Sequence, residues 1–76
     1  MKRILFVDDE PNVLSGLRRM LRCARDQWEM EFAEGGAKAL ALLERWQADV
    51  IVTDMRMPGM DGAELLGEVR RRWGGM

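Results

Sequence analysis

Histidine is absent from this 76-residue sequence, and cysteine occurs only once, at Cys23. Without histidine the chain can form no His-based catalytic triad, no Cys/His zinc site and no phosphohistidine relay within itself. One cysteine allows no intrachain disulfide, which suits a reducing cytoplasm. No apolar run approaches the ~18 residues of a membrane helix, and the N-terminus has no small-residue cleavage site. We therefore expect a cytoplasmic protein with no membrane span.

An excess of charge of one sign is also lacking, because 12 Lys and Arg residues nearly balance 13 Asp and Glu residues, for a formal net charge of −1. Bulk electrostatic attraction to nucleic acid is therefore not expected. Arginines cluster at positions 18–25 and 70–72. They could form a nucleic-acid patch, but at this net charge solvated helix faces are the favoured interpretation. The length allows one small domain, residues 1–76.

Three apolar segments have patterns typical of β-strands. Residues 4–7 (ILFV) are a short continuous apolar run, which predicts a strand buried on both faces, and residues 48–54 (ADVIVTD) predict another such strand. Residues 28–34 (WEMEFAE) alternate apolar and acidic side chains, which predicts a strand with one wetter side at a sheet edge.

Helical spacing of apolar residues follows each of these strands. Residues 11–26 predict a first helix with Pro11 in its first turn, and residues 37–46 predict a second. Asp61 starts a third helix, because Asp61-Gly62-Ala63-Glu64 fits a capping box, and Gly74-Gly75 should end it. Its predicted apolar stripe is Leu65, Leu66, Val69 and Trp73. The strand–helix alternation predicts an α/β fold with a parallel sheet and right-handed crossovers.

Two predicted strands end in aspartate: Asp8-Asp9 follow the first, and Asp54 ends the third. Ligands of parallel sheets bind beyond the carboxyl ends of the strands, so neighbouring strands would bring these carboxylates to one crevice. Mg²⁺ would turn their repulsion into attraction, because it prefers oxygen ligands. The alternative is a solvated turn in which Glu10 caps a helix and the aspartates stay unpaired in water.

ILFVDDEP (4–11) and DVIVTDMRMPGMDG (49–62) together closely resemble the receiver domain of bacterial two-component response regulators. The resemblance implies a flavodoxin-like fold with parallel strands in the order 2-1-3 and helices on both faces. It also implies a signalling module that accepts a phosphoryl group from a sensor histidine kinase, rather than a turnover enzyme. The similarity covers only the first three of the family's five strand–helix units.

The resemblance assigns a role to each residue that matches the family motifs. Asp54 matches the phosphoryl acceptor; Asp8, Asp9 and Asp54 match Mg²⁺ ligands, and the backbone carbonyl of Arg56 matches a further ligand. For Glu10 we favour a role at a helix N-terminus over an ion role. The Arg56 side chain could tune the access of water to an acyl phosphate, although a simply exposed loop side chain is the preferred interpretation.

Two family residues have no counterpart: a hydroxyl residue that ends the fourth strand and a lysine that ends the fifth. Lys2 and Lys38 are the only lysines, and neither lies in a matching motif. We therefore expect impaired phosphoryl acceptance. The third strand would become an edge without lysine, proline or inward charge. This predicts a homodimer in which third strands pair antiparallel across a two-fold axis.

Other interpretations remain open at this point. The chain could be a structural half-fold, natural or engineered, that only self-assembles. The interpretation as an aspartate-nucleophile phosphatase is weaker. Such enzymes have a strand that ends in Asp-x-Asp-x-Thr, whereas here Arg56 stands two residues after Asp54. Met55, Met57 and Met60 could form a soft partner surface or, as we prefer, pack over the site. Cys23 is expected to be an inert small hydrophobe near the stripe of the first helix.

Overall fold

A computed structural model describes residues 1–74 and shows strands and helices in strict alternation. The elements are β1 (Lys2–Asp8), α1 (Pro11–Met20), β2 (Trp28–Glu34), α2 (Gly36–Leu43), β3 (Val50–Thr53) and α3 (Gly62–Trp73), with a short 3₁₀ helix (Arg22–Ala24) after α1. The predicted order of elements is confirmed. Gly75, the second residue of the predicted helix stop, lies outside the described residues.

The strands form one parallel sheet in the order β2-β1-β3, as expected. β1 pairs with β2 from Lys2 opposite Trp28 to Asp8 opposite Glu34. It pairs with β3 from Ile4 opposite Val50 to Val7 opposite Thr53. Within residues 1–74, β1 is thus the central strand, and β2 and β3 are the two edges.

Alternate residues of β1 face opposite layers of helices. Leu5 and Val7 are buried against α2 and α3, and they belong to the main hydrophobic core. The other buried members are Ala33, Ala39, Leu40, Leu43, Ala48, Met57, Leu65 and Val69. Phe6 points to the opposite face, where its ring stacks on Phe32 with centroids 5.1 Å apart.

The face that carries Phe6 is only partly covered. α1 packs against β1 and β2 and buries Leu14 there. Val52 lies opposite Phe6 in the sheet, yet Val50 and Val52 are 44% and 48% exposed and Val13 of α1 is 45% exposed. Burial of the third strand on both faces is therefore wrong for the described residues, because no helix among them covers β3 on the α1 side.

Two helices end earlier than their sequence patterns predict. After Met20 the chain tightens into 3₁₀ geometry, with the Ala24 N–H donating to the Leu21 carbonyl at 2.9 Å. α2 ends at Leu43, and the Arg45 N–H donates to the Leu42 carbonyl at 3.1 Å. Such i→i+3 bonds commonly satisfy carbonyls at helix ends. Residue 23 therefore lies on the short turn, and Cys23 is exposed instead of packed along a helical stripe.

α3 begins with the predicted capping box. Asp61 Oδ1 accepts from the Glu64 N–H at 2.8 Å, and Glu64 Oε1 accepts from the Asp61 N–H at 3.2 Å. Near its end, hydrogen bonds from Arg71 and then Arg72 lower the pKa of Glu68. The predicted apolar stripe needs one correction: Leu66 is 41% exposed, because the core lies on the side of Leu65 and Val69.

None of the helices within residues 1–74 combines the length and apolar character that a bilayer crossing requires.

Leu65 is fully buried at 0% exposure, whereas its neighbour Leu66 is exposed, so the two form a matched pair. Leu65→Ala is expected to lower the free energy of unfolding by at least about 2 kcal/mol, since it leaves a cavity in the core. Leu66→Ala should lower it by less than about 1 kcal/mol. Urea unfolding followed by tryptophan fluorescence measures both, and equal losses would contradict this description of the α3 packing.

Candidate functional site

Three aspartates meet at the carboxyl end of the sheet. Asp8 is the last residue of β1, Asp9 follows it, and Asp54 follows β3. Because β1 and β3 are parallel neighbours with Val7 opposite Thr53, both strands deliver these residues to the same edge. One carboxylate oxygen from each aspartate lies within 4.8 Å of the other two. We call this group, Asp8, Asp9 and Asp54, the acidic cluster.

Backbone hydrogen bonds hold the acidic cluster in place. The carbonyl of Asp8 accepts from the Gly35 N–H at 2.9 Å, and the Asp54 N–H donates to the Val7 carbonyl at 3.2 Å. The carboxylates are oriented locally: Asp8 Oδ1 accepts from the Glu10 N–H at 2.9 Å, and Asp54 Oδ1 accepts from the Arg56 N–H at 3.2 Å. Each of these two carboxylates therefore has one oxygen engaged by the peptide two residues later.

The acidic cluster has no cationic partner among residues 1–74. The ion pairs of that part of the chain join Arg3 to Glu29, Arg71 and Arg72 to Glu68, and Arg72 to Glu44. Arg3 lies at the opposite end of β1 from Asp8, and the other members of these pairs lie on β2, on α3 or just after α2. Asp8 and Asp9 are half-buried and Asp54 is exposed, so the cluster is open to solvent on the side of β3. No ion pair within residues 1–74 therefore balances the negative charge of the cluster.

Of the two residues that flank the cluster, Glu10 differs in part from its expected role, whereas Arg56 is an exposed loop residue as preferred. Glu10 does occupy the N-cap position of α1, where its carbonyl accepts from the Val13 N–H at 3.1 Å. Its side chain makes no capping hydrogen bond, however, so capping by the Glu10 carboxylate is wrong. Glu10 is also outside the acidic cluster. Arg56 is exposed, and its N–H bond to Asp54 places its peptide group beside the cluster.

The loop after Asp54 is anchored by methionines. Met57 is buried in the main core at 7% exposure, and Met60 packs against that core. Met55 alone of the three is mostly exposed, at 56%. The loop therefore carries no continuous methionine surface, and two of its three methionines fix the segment that leads from the acidic cluster to α3.

Two glycines that the sequence pattern does not assign to the site contact the backbone that carries it. Gly35 adopts a positive φ of 91° and donates its N–H to Asp8. Gly62 donates its N–H to the Met55 carbonyl at 3.1 Å and approaches the backbone of Asp54. In the sequence Gly62 stood out only as part of a capping box and as the last residue of the matching motif at 49–62. Its contact with the strand end depends on tertiary distance, which no local pattern records.

The donor set of the acidic cluster fits a hard divalent cation. All its donors are carboxylate oxygens, the ligand type that Mg²⁺ prefers; adjacent ligands of one octahedral Mg²⁺ lie ~3.0 Å apart and opposite ligands ~4.2 Å. The three oxygens lie within 4.8 Å of one another, a limit wider than these spacings, so side-chain rotation or a bridging water would bring all three to one ion. The same crevice has room for water on its exposed side at Asp54, and Mg²⁺ usually keeps several waters.

Comparison with known proteins identifies the family of the chain. Residues 4–76 match the family described as "Response regulator receiver domain". A response regulator receiver protein of Anaeromyxobacter sp. (strain Fw109-5) is 46% identical over 71 residues, which are 93% of this chain and 29% of that protein. The chain therefore belongs to the response regulator receiver domain family, and it spans less than a third of this curated relative.

Solved structures agree with that membership. The regulator TrrA from Thermotoga maritima, in complex with Mg²⁺-BeF, is 39% identical with a TM-score of 0.81, over 97% of this chain and 63% of that chain. TrrA in complex with the histidine kinase ThkA is matched with a TM-score of 0.82 and 39% identity, over 99% of this chain and 63% of the matched chain. The fold is thus the flavodoxin-like fold of receiver domains, which are signalling modules of two-component systems.

Removing one charge from the acidic cluster should stabilise the cation-free chain. Asp54→Asn keeps an oxygen that can accept the Arg56 N–H and removes repulsion, so the free energy of unfolding is expected to rise by about 0.5–1 kcal/mol in a chelator. Asp26→Asn, an exposed aspartate on the turn before β2, is the matched control and should change it by under about 0.5 kcal/mol. Urea unfolding measures both; a loss of stability in Asp54→Asn would contradict the repulsion.

Proposed function

We propose that this chain is a phosphoryl-accepting receiver module in which Asp54 is the acceptor and the acidic cluster binds Mg²⁺. The observation that carries the proposal is the convergence of three aspartates within 4.8 Å, with no ion pair to balance them among residues 1–74. Asp54 is the exposed member, so a donor can approach it from solvent. Asp8 and Asp9 lie deeper, on β1 and just after it.

The chemistry follows from the charges of the reactants. A carboxylate oxygen of Asp54 would form a bond to phosphorus while the bond from phosphorus to the imidazole nitrogen of a kinase phosphohistidine breaks. The electron pair of the broken bond stays on that nitrogen, and Asp54 carries an acyl phosphate. Both reactants are anionic or electron-rich, and bound Mg²⁺ supplies charge neutralisation and alignment. Asp8, Asp9 and Asp54 would hold the cation, with the carbonyl of Arg56 as a fourth protein ligand.

Phosphoryl acceptance by the 76 residues alone should be slow. Lys2 and Lys38 are the only lysines; Lys2 lies at the opposite end of β1 from Asp8, and Lys38 lies within α2. No basic side chain within residues 1–74 is paired with the acidic cluster. The charge on a bound phosphoryl group would then rest on the cation and on backbone N–H groups. The proposed partner is a sensor histidine kinase, in line with the ThkA complex of TrrA, and the proposed location is the cytoplasm.

A small phosphodonor tests the acceptor role. With acetyl phosphate and Mg²⁺, intact-protein mass spectrometry should show the gain of one phosphoryl group, and Asp54→Asn should abolish it because no carboxylate remains to attack. Asp26→Asn is the control and should be labelled as well as the wild type. Omission of Mg²⁺ should also prevent labelling. Absence of any mass gain in the wild type with several donors, or label retained in Asp54→Asn, would overturn the proposal.

The outer edge of β3 favours a second property, self-association of the 76-residue chain. Within the described residues β3 pairs with β1 only. The Asp54 N–H donates to the Val7 carbonyl at 3.2 Å, and alternate residues of a strand direct their backbone groups to opposite edges. Val50 and Val52 therefore direct their N–H and C=O groups toward β1, as Asp54 does, and those of Ile51 and Thr53 point to the open edge. The side chains of Val50 and Val52 add exposed apolar surface beside that edge.

A symmetric homodimer would satisfy these groups in one particular register. Antiparallel pairing would match Ile51 with Thr53 of the second copy, which places the two-fold axis at Val52. In this register Asp54 faces Val50 and Asp49 faces Met55 of the second copy, so no like charges stand opposite each other. The two Val52 side chains would meet across the axis, with Val50 on the same face. The resulting sheet order is 2-1-3-3′-1′-2′.

Sedimentation velocity at micromolar concentration tests the homodimer. The wild type is expected to sediment as a dimer, and Val52→Lys as a monomer, because a charge at the edge blocks pairing. Leu66→Lys, at a site of similar exposure on α3, is the control and should leave the dimer intact. In a Cys23→Ser background, Val52→Cys should form an intermolecular disulfide, since directly opposed non-hydrogen-bonded residues lie ~4.5 Å apart. A folded, monodisperse wild-type monomer would reject the arrangement.

A further inference from the structure

Gly62 is the first residue of α3, and it lies against the backbone of Asp54. A Cβ at position 62 would lie 2.6 Å from the Asp54 carbonyl oxygen and 3.0 Å from the Met55 Cα. Both are backbone atoms, so no side-chain rotation could relieve the overlap. Gly62 does not have a positive φ. The requirement for glycine here is therefore one of space between α3 and the end of β3, and not of backbone conformation.

The backbone of Asp54 is confined from several directions at once. On the β1 side its N–H donates to the Val7 carbonyl at 3.2 Å. Its carbonyl accepts from the Thr53 hydroxyl at 3.0 Å. On the α3 side, the Gly62 N–H donates to the Met55 carbonyl at 3.1 Å. Any displacement of the Asp54 peptide therefore breaks a hydrogen bond on one side or creates a clash on the other.

α3 itself has little freedom to move away. Its first turn is closed by the reciprocal hydrogen bonds between Asp61 and Glu64. One turn later Leu65 is fully buried in the main core, and Val69 is buried there as well. Because α3 cannot move back, a side chain at position 62 would displace the end of β3 instead. Asp54 of the acidic cluster lies at that strand end.

We propose that Gly62 is a positioning residue for the acceptor: by leaving this space empty it sets the distance of the Asp54 carboxylate from Asp8 and Asp9. This inference rests on the proposed function, because the consequence of a displaced Asp54 is weaker cation binding. Gly62 contributes no side chain to the acidic cluster and would act only through the Asp54 backbone. It therefore links the start of α3 to the geometry of the acidic cluster.

Two glycines of α3 make the test. Gly62→Ala should weaken Mg²⁺ binding by about 10–100-fold, the range typical of residues that orient metal ligands. Gly67→Ala introduces the same methyl group in the same helix, where nothing lies within 4 Å, and should change the affinity by less than about twofold. Mg²⁺ titrations followed by NMR chemical shifts of Asp8, Asp9 and Asp54 give the affinities, and circular dichroism checks that both variants are folded.

The outcomes separate the inference from the function beneath it. If the wild type binds Mg²⁺ and folded Gly62→Ala binds it equally well, the positioning role is overturned and the proposed function stands. If the wild type shows no Mg²⁺ affinity, the proposed function is overturned and the inference with it. Equal weakening in Gly62→Ala and Gly67→Ala would also overturn the inference, because the effect would then be a general one of the helix.

A folding defect in Gly62→Ala is handled by a second measurement. Trimethylamine N-oxide strengthens the folded state, and all three proteins are then titrated in it. A Gly62→Ala chain that regains the wild-type circular dichroism spectrum and still binds Mg²⁺ weakly supports positioning. A Gly62→Ala chain that regains wild-type Mg²⁺ affinity, or that stays unfolded, overturns the positioning role. In either case the space at Gly62 would be needed for folding only.

Discussion

Repulsion among the carboxylates of Asp8, Asp9 and Asp54 is the interaction on which the site depends. Each pair ~4 Å apart costs ~1 kcal/mol in water and ~4 kcal/mol at an intermediate dielectric. The fold opposes this repulsion with backbone contacts rather than counter-charges: Gly35 holds the Asp8 carbonyl, and Val7 holds the Asp54 N–H. A small chain has little stability to spare. A bound cation would relieve this repulsion, and this is the physical argument for the proposed cation site over a solvated turn.

The sequence predicts those features that depend on local pattern. The bounds of the strand at 28–34 and the capping box at Asp61 are observed as expected, because both depend on neighbouring residues alone. The predicted wetter side of that strand is wrong, because Ala33, on the face of Glu29 and Glu31, is its one buried residue and belongs to the main core. The resemblance supplied the strand order, which periodicity cannot give. The ends of α1 and α2 were missed, because tightening into 3₁₀ turns is decided by the chain that follows. The space at Gly62 was missed because it exists only once α3 packs beside β3.

β3 shows where pattern and environment disagree. Val50 to Thr53 have the composition of an interior strand, yet the side chains of Val50 and Val52 are nearly half exposed. Ile51 and Thr53, on the other face, are only partly accessible. Local and global preferences normally agree in a natural sequence, so the exposed face of β3 has the composition of a buried surface that nothing within residues 1–74 covers. Either the further strand–helix units of a longer receiver domain or a second copy of this chain would cover it.

The acidic cluster and the open edge share one element, and this makes them physically dependent on each other. Asp54 directly follows β3, and its N–H continues the pairing of that strand with β1. Whatever pairs with the outer edge of β3 limits fraying of the strand end, because an edge strand held on one side opens more easily than one held on both. A cation held between Asp54 and the β1 aspartates would in turn tie β3 to β1. Occupancy of the site and order at the edge should therefore rise together, and Gly62 is the point at which α3 joins both.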